Sequence, residues 1–213
     1  MSTTSGLTLL HVDAAWLVVD KPAGLLSVPG RGADKADCVQ TRLQADYPDA
    51  LTVHRLDMAT SGLLVYGRGA TAQRRLSLAF EARQVDKQYL AVVAGLLAED
   101  SGEISLPLAA DWPRRPLQRV CLNSGKSALT RWQVLERDPL RRTTRLLLSP
   151  ATGRTHQLRV HLLAIGHPIL GDALYAPAAQ TPSAERLMLH AWRLQLPHPL
   201  SGQLCRFEAP PPF

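Results

Sequence analysis

The stretch VHRLDMATSGLLVYGR, residues 53–68, decides how this chain is read. A short apolar run, LTV (51–53), leads into a turn, and a longer one, GLLVYGR (62–68), leaves it. Two extended segments bounding a turn predict sheet structure. Inside the turn Asp57 follows closely on Arg55. A solvated turn Asp needs only water, whereas a buried carboxylate is costly and needs both a partner and a task. Thr60 and Ser61 can hydrogen-bond the turn or the carboxylate, and Gly62 permits a bend that a side chain would obstruct.

Outward from this stretch, short apolar segments recur between turn signals. WLVVDKP (16–22) predicts a strand ending in a Pro turn. QYLAVVAGLL (88–97), LQRVCL (117–122), SALTRWQVLE (127–136), TRLLLSP (144–150) and RLMLHAWRLQL (186–196) also favour strands. In SALTRWQVLE, Ala128, Thr130, Trp132 and Val134 alternate with Arg131 and Gln133, which predicts one covered face. Three segments have helical spacing. CVQTRLQADYP (38–48) aligns Val39 with Leu43, and ATAQRRLSLAFEAR (70–83) aligns Leu76, Ala79, Phe80 and Arg83. THQLRVHLLAIGHP (155–168) aligns Leu158, Leu162 and Ile165 before Gly166 and Pro168 stop it. Strands outnumber helices and are often consecutive, so the predicted class is α+β rather than a regular βαβ winding. Joints at 29–33, 110–116 and 176–182, rich in Gly and Pro, read as loops. No repeat or composition shift marks a boundary, which predicts a single domain over 1–213.

The 213 residues carry a net charge of +6, built from 20 Arg and only 4 Lys. The planar guanidinium suits phosphate and stacks on bases, so this balance permits a nucleic-acid partner; GC-rich coding favours Arg equally well. No apolar run approaches the ~18 residues of a membrane helix, and the N-terminus lacks the pattern of a signal peptide. Cys38, Cys121 and Cys205 never fall in CxxC spacing and read as reduced thiols of a cytoplasmic protein.

Most site chemistries lack a signature. His156 and His161 are five apart, on different helix faces, and fit core or RNA-facing roles better than metal binding. GxGxxG, GxxxxGK[ST] and GxSxG are absent, so neither a nucleotide cradle nor a serine elbow is predicted, and no cofactor or metal is expected. The segment ATGRTHQLRVH (151–161) is a Gly-containing turn presenting Arg154 ahead of a helix. An Arg brought beside Asp57 would attract it by roughly 4 kcal/mol at ~4 Å and an effective dielectric near 20, keeping it ionised as a nucleophile or base. Arg114, Arg115, Arg119 and Lys126 surround a Pro-bounded loop and its following strand, either as a solvated charged hairpin or as contacts to RNA phosphates.

HRLDMATSGLLV resembles the catalytic motif of the RluA family of pseudouridine synthases. VDKPAGLLSVPGR (19–31), KQYLAVVAG (87–95), GRTHQLRVHLLAIGHPILGD (153–172) and RLMLHAWRLQLPHP (186–199) resemble further family segments in the same order. The resemblance implies a mainly antiparallel mixed sheet in two lobes flanking an RNA-binding catalytic cleft. It implies Asp57 as the catalytic residue, Tyr89 stacked on the uracil, Arg154 beside Asp57 and Leu158 as an apolar floor. Arg55 would take the space of the flipped nucleotide or hold its phosphate. From the residues alone, Tyr89 and Leu158 read equally as core and Arg55 as surface. Only about 15 residues precede WLVVDKP, so no S4 RNA-binding domain is expected. DWPRRPLQRVCLNSGKSALT (111–130) resembles the subgroup acting on both 23S ribosomal RNA and a transfer-RNA anticodon stem-loop, and a monomer is expected. The competing expectations are a single-substrate relative, a non-catalytic RNA-binding module and an Asp-dependent hydrolase, the last wanting a second carboxylate or a metal.

Overall fold

The computed structural model describes residues 2–32, 35–176 and 184–213. The chain folds as two compact units, one formed by Met1–Lys87 with His190–Pro212, the other by Gln88–Leu189 with Phe213.

Unit 1 is organised by its apolar strands. In order come β1 (Ser2–Thr4), β2 (Leu7–Val12), β3 (Trp16–Lys21), α1 (Val39–Asp46), β4 (Ala50–Thr52), β5 (Ser61–Arg68) and α2 (Gly69–Glu81). β3 and β5 are buried along nearly their whole length, as expected of continuous apolar runs covered on both faces. They pair antiparallel from Trp16 opposite Gly67 to Lys21 opposite Gly62. Gly67 lets α2 approach, since a Cβ there would overlap the Gln73 backbone. The helix turns Ala72, Leu76 and Ala79 inward; of the face read from its spacing, Leu76 and Ala79 are buried, Phe80 is half-buried, and Arg83 lies exposed past the helix end. Returning chain completes the unit, with residues of β12 (Leu189–Pro197) parallel to β5 and β13 (Leu204–Glu208) antiparallel to β12. Cys38 is buried and caps α1 through its sulfur.

Unit 2 is an antiparallel meander. β6 (Asp86–Ala94) pairs with β11 (Thr143–Pro150), β11 with β10 (Leu129–Asp138), and β10 with β7 (Ser101–Ser105). Between β7 and β10 a small hairpin, β8 (Leu108–Ala110) and β9 (Gln118–Val120), stands apart from the meander. The alternation predicted for 127–136 is present: Ala128 and Thr130 are buried, whereas Arg131 and Gln133 are exposed. One helix, α3 (Gln157–Ala164), packs on β9 and β10.

The α+β class and mixed sheet are as expected. Two details differ. The third helix begins at Gln157 rather than 155, because His156 takes a left-handed backbone, and Ile165 lies past its end and is exposed. The helix buries Arg159 and His161 as well as Leu158 and Leu162, so it lacks the single apolar stripe read from its spacing. Of the predicted loops, 110–116 is the tip of the small hairpin, and residues 177–182 of the third lie outside the described residues. Among the described residues no helix is long and apolar enough to cross a membrane.

Candidate active site

In unit 1, Asp57 occupies the turn between β4 and β5, half-buried, with Arg55 exposed beside it. The turn is held from three directions. Lys21, at the end of β3, is fully buried, and its ammonium donates to the carbonyls of Pro22 (2.8 Å), Leu25 (2.7 Å) and Met58 (3.0 Å). An ammonium has three protons, and each has an oxygen here. The Ser27 hydroxyl donates to the Leu56 carbonyl at 2.8 Å and accepts the Leu56 N–H at 3.1 Å. His54 stacks on Phe80 with ring centroids 4.5 Å apart, and its Nε2 accepts the Val65 N–H at 3.1 Å. That bond requires a neutral ring with its proton on Nδ1. Burial, with Lys87 nearby adding to it, pushes the His54 pKa down to about 3, so the ring stays neutral in ordinary buffers.

The far side of the turn is equally determined. The Thr60 N–H donates to the Asp57 carbonyl at 3.1 Å. The Ser61 hydroxyl donates to His190 Nδ1 at 2.7 Å, and His190 Nε2–H donates to the Ala209 carbonyl at 2.9 Å. Both side chains are buried, which makes this Ser–His pair part of the frame. Gly62 has φ +107°, and a Cβ there would overlap the Ala191 backbone. The bend expected of Gly62 is therefore real, and so is a close approach of backbone to backbone.

In unit 2, Tyr89 lies half-buried on β6, opposite Leu148 of β11. Leu158 is buried on α3, and Arg154 is exposed on the turn before it. That turn is organised by Gln157. Its Oε1 accepts the Thr152 hydroxyl at 2.7 Å and the Arg154 N–H at 3.0 Å, and its Nε2 donates to Leu129 O and Thr130 Oγ1. Thr130 in turn donates to His161 Nδ1 (3.0 Å), and His161 Nε2–H donates to Leu106 O (2.9 Å). Burial pushes the His161 pKa down, in keeping with a neutral ring inside this chain of bonds. The Arg154 guanidinium is itself guided by a bond from Nε to the Ser127 carbonyl at 3.0 Å. His156 closes the turn with φ +52°, a left-handed conformation that costs a side-chain-bearing residue about 1–2 kcal/mol.

The basic residues of 111–130 gather at the small hairpin. Arg114 pairs with the buried Asp111 at 2.6 Å, the Arg115 guanidinium lies 3.3 Å over the Trp112 ring, and Arg119 is exposed on β9. Lys126 pairs by backbone with Leu108. Trp112 is 67% exposed, an unusual setting for so large a ring, and the charge pattern did not single it out. Lys21, Ser27, His54 and Gln157 were also missed. Lys21 alone carried a signal, a charged residue fully buried at the end of a mostly apolar strand.

The family profile described as RNA pseudouridylate synthase matches residues 15–164, and the chain belongs to that family. It is 51% identical over 207 residues to the Dual-specificity RNA pseudouridine synthase RluA of Yersinia pestis, covering 97% of this chain and 100% of that one. It is 49% identical over 207 residues to the protein of the same name from Escherichia coli K12, covering 97% and 94%. Among solved structures, Human RNA Pseudouridylate Synthase Domain Containing 1 superposes with a TM-score of 0.82 at 30% identity, covering 100% of this chain and 86% of that one.

Proposed function

We propose that this chain isomerises specific uridines to pseudouridine in both 23S ribosomal RNA and a transfer-RNA anticodon stem-loop, with Asp57 as its catalytic carboxylate. Dual specificity is supported by relatives of that name at 49–51% identity along almost the whole chain. The observation that carries Asp57 is its turn. Lys21, Ser27 and His54 fix the backbone on either side of it, which is the preorganisation a reacting group requires.

The reaction breaks the bond from ribose C1′ to N1 and forms one from C1′ to C5. C5 loses its hydrogen and N1 gains one, so atoms and oxidation state balance without a cofactor. Asp57 adds to C1′, adds to C6 or removes the C2′ proton, and each route needs it ionised and held close. Arg154 supplies the stabilising charge. The target uridine must leave its stack, at a cost of a few kcal/mol. Tyr89 offsets this by stacking, worth about 1–3 kcal/mol, with Leu158 beneath the base and Arg55 at the vacated position. Arg114, Arg115, Arg119 and Lys126 hold phosphates. Both units serve one catalytic domain over 1–213, acting as a monomer in the cytoplasm.

The test is to map pseudouridine across total RNA from cells with and without the gene, complemented by wild type or Asp57→Ala. Sites in both RNAs that wild type restores and the variant does not are expected. Restoration by Asp57→Ala refutes its role, and sites confined to one RNA make the chain a single-substrate synthase.

A further inference from the structure

Tyr175 has no part in the reaction as described, yet its hydroxyl joins two parts of unit 2 that do. The ring is buried in a cluster with Leu108 of β8, Ala128 and Val160 of α3, flanked by Leu117, Val120 and Leu163. It therefore seats where the small hairpin meets the helix. The phenol oxygen accepts the Gln118 N–H of β9 at 2.8 Å and meets His156 Nδ1 at 2.7 Å. With Gln118 donating, the phenol's own proton is available to His156 Nδ1.

The residue is held on its other sides as well. Asp172 Oδ1 accepts the N–H groups of Leu174 (3.0 Å) and Tyr175 (3.1 Å). The same carboxylate binds Arg159 of α3 through two bonds of 2.8 and 2.7 Å, in a pair buried from solvent. The Arg159 guanidinium lies 5.1 Å from the Tyr175 ring centroid. Fixed at backbone and ring, the side chain is a rigid spacer whose hydroxyl reaches the one left-handed residue of the Arg154 turn. Packing alone would be served by phenylalanine. The two bonds of the hydroxyl call for a separate account.

We propose that the Tyr175 hydroxyl is a positioning group for the isomerisation. Through His156 it sets the turn that presents Arg154, and the N–H that Gln118 donates to it from β9 fixes where the hydroxyl sits. This rests on Arg154 acting on RNA as proposed above.

The test uses 23S ribosomal RNA and transfer-RNA transcripts carrying C5-tritiated uridine, because tritium leaves as C5 joins C1′. Single-turnover rate, RNA affinity and amide exchange at Gln118 are measured for Tyr175→Phe, His156→Gly, Arg154→Ala and Arg154→Ala with Tyr175→Phe. Tyr175→Phe is expected to slow the single turnover about tenfold, leave RNA affinity within about twofold and speed Gln118 exchange. His156→Gly keeps the positive φ without strain and loses the ring bond, so it should slow turnover to a similar degree. The double variant should be no slower than Arg154→Ala by more than about twofold, because groups acting through one another are not additive.

A normal rate in Tyr175→Phe and in His156→Gly, with Arg154→Ala slow, overturns the proposal and leaves the Arg154 assignment standing. A normal rate in Arg154→Ala removes that assignment itself, and the proposal with it. Losses that multiply in the double variant, or affinity falling as far as rate, make Tyr175 a packing residue and also overturn it.

Discussion

The two turns that present Asp57 and Arg154 solve the same problem with different chemistry. In unit 1 the backbone around Asp57 is held by a buried cation, a hydroxyl and a neutral imidazole, reaching it from β3, from residue 27 and from within the turn itself. In unit 2 the backbone around Arg154 is held by an uncharged amide, Gln157, whose donors and acceptors are all engaged, beside the His156 bond to Tyr175. A cation facing three carbonyls is electrostatically strong, and its removal takes the donor from all three at once. An amide is weaker but directional, and fixes the hydrogen-bond sense at four partners. The first device resists displacement, and the second sets register. With the roles proposed for Asp57 and Arg154, that contrast suits a carboxylate that must stay put and a long arginine that must be aimed.

The largest expected effect comes from removing the cation. Lys21→Met keeps the length of the side chain but leaves the carbonyls of Pro22, Leu25 and Met58 without their buried donor. Hydrogen bonds from a charged donor contribute about 1.5–3 kcal/mol each, partly recovered by hydration at the exposed Pro22 and Met58, so urea unfolding should show a loss of about 4 kcal/mol. A loss below about 1 kcal/mol would mean that water replaces the ammonium, and the contrast between the turns would fail.

Much of this arrangement could be read from the sequence, and what could not has a physical reason. β3, β5 and β11 are continuous or alternating apolar runs, and burial follows such patterns directly. β2 and β13, by contrast, alternate apolar with polar residues over only five or six positions, and β7 carries a single large apolar residue, Ile104, so periodicity had little to register. Asp57, Tyr89, Arg154 and Leu158 stood out because motif and resemblance marked them. Their supports did not. Gln157 and His54 act through bonds to residues 28 and 11 positions away in sequence, and no local pattern encodes such partners. The left-handed His156 was equally hidden, because left-handed geometry is usually announced by Gly.

Smaller effects sharpen the comparison. Gln157→Leu is nearly isosteric but removes every polar contact of the amide. Thr152 and Arg154 lose their acceptor, and Leu129 O and Thr130 lose a donor. Several of these groups lie near solvent and can rehydrate, so the expected cost is about 2–3 kcal/mol, below that of Lys21→Met. Thermal unfolding of the two variants side by side checks the order. A larger loss in Gln157→Leu would make the amide, not the cation, the stronger clamp.

The smallest effect is one of pH, and it tests the neutral imidazole of the Asp57 turn. The His54 pKa falls from an ordinary 6.5 to about 3 on folding. Between those values the unfolded chain binds a proton that the folded chain refuses, so stability is fully present above pH 6.5 and declines as pH drops toward 3. At pH 5 the loss from this group amounts to about 2 kcal/mol. His54→Phe keeps a ring against Phe80 but cannot titrate. His161, pushed down by burial as well, declines with pH in both proteins and cancels in the comparison. Urea unfolding at pH 7 and pH 5 should therefore show wild type losing about 2 kcal/mol more than the variant across the interval. Equal losses would mean that folded His54 accepts a proton near its ordinary pKa. Its Nε2 would then be no acceptor for Val65 at pH 5, and the Asp57 turn would keep only two of its three anchors.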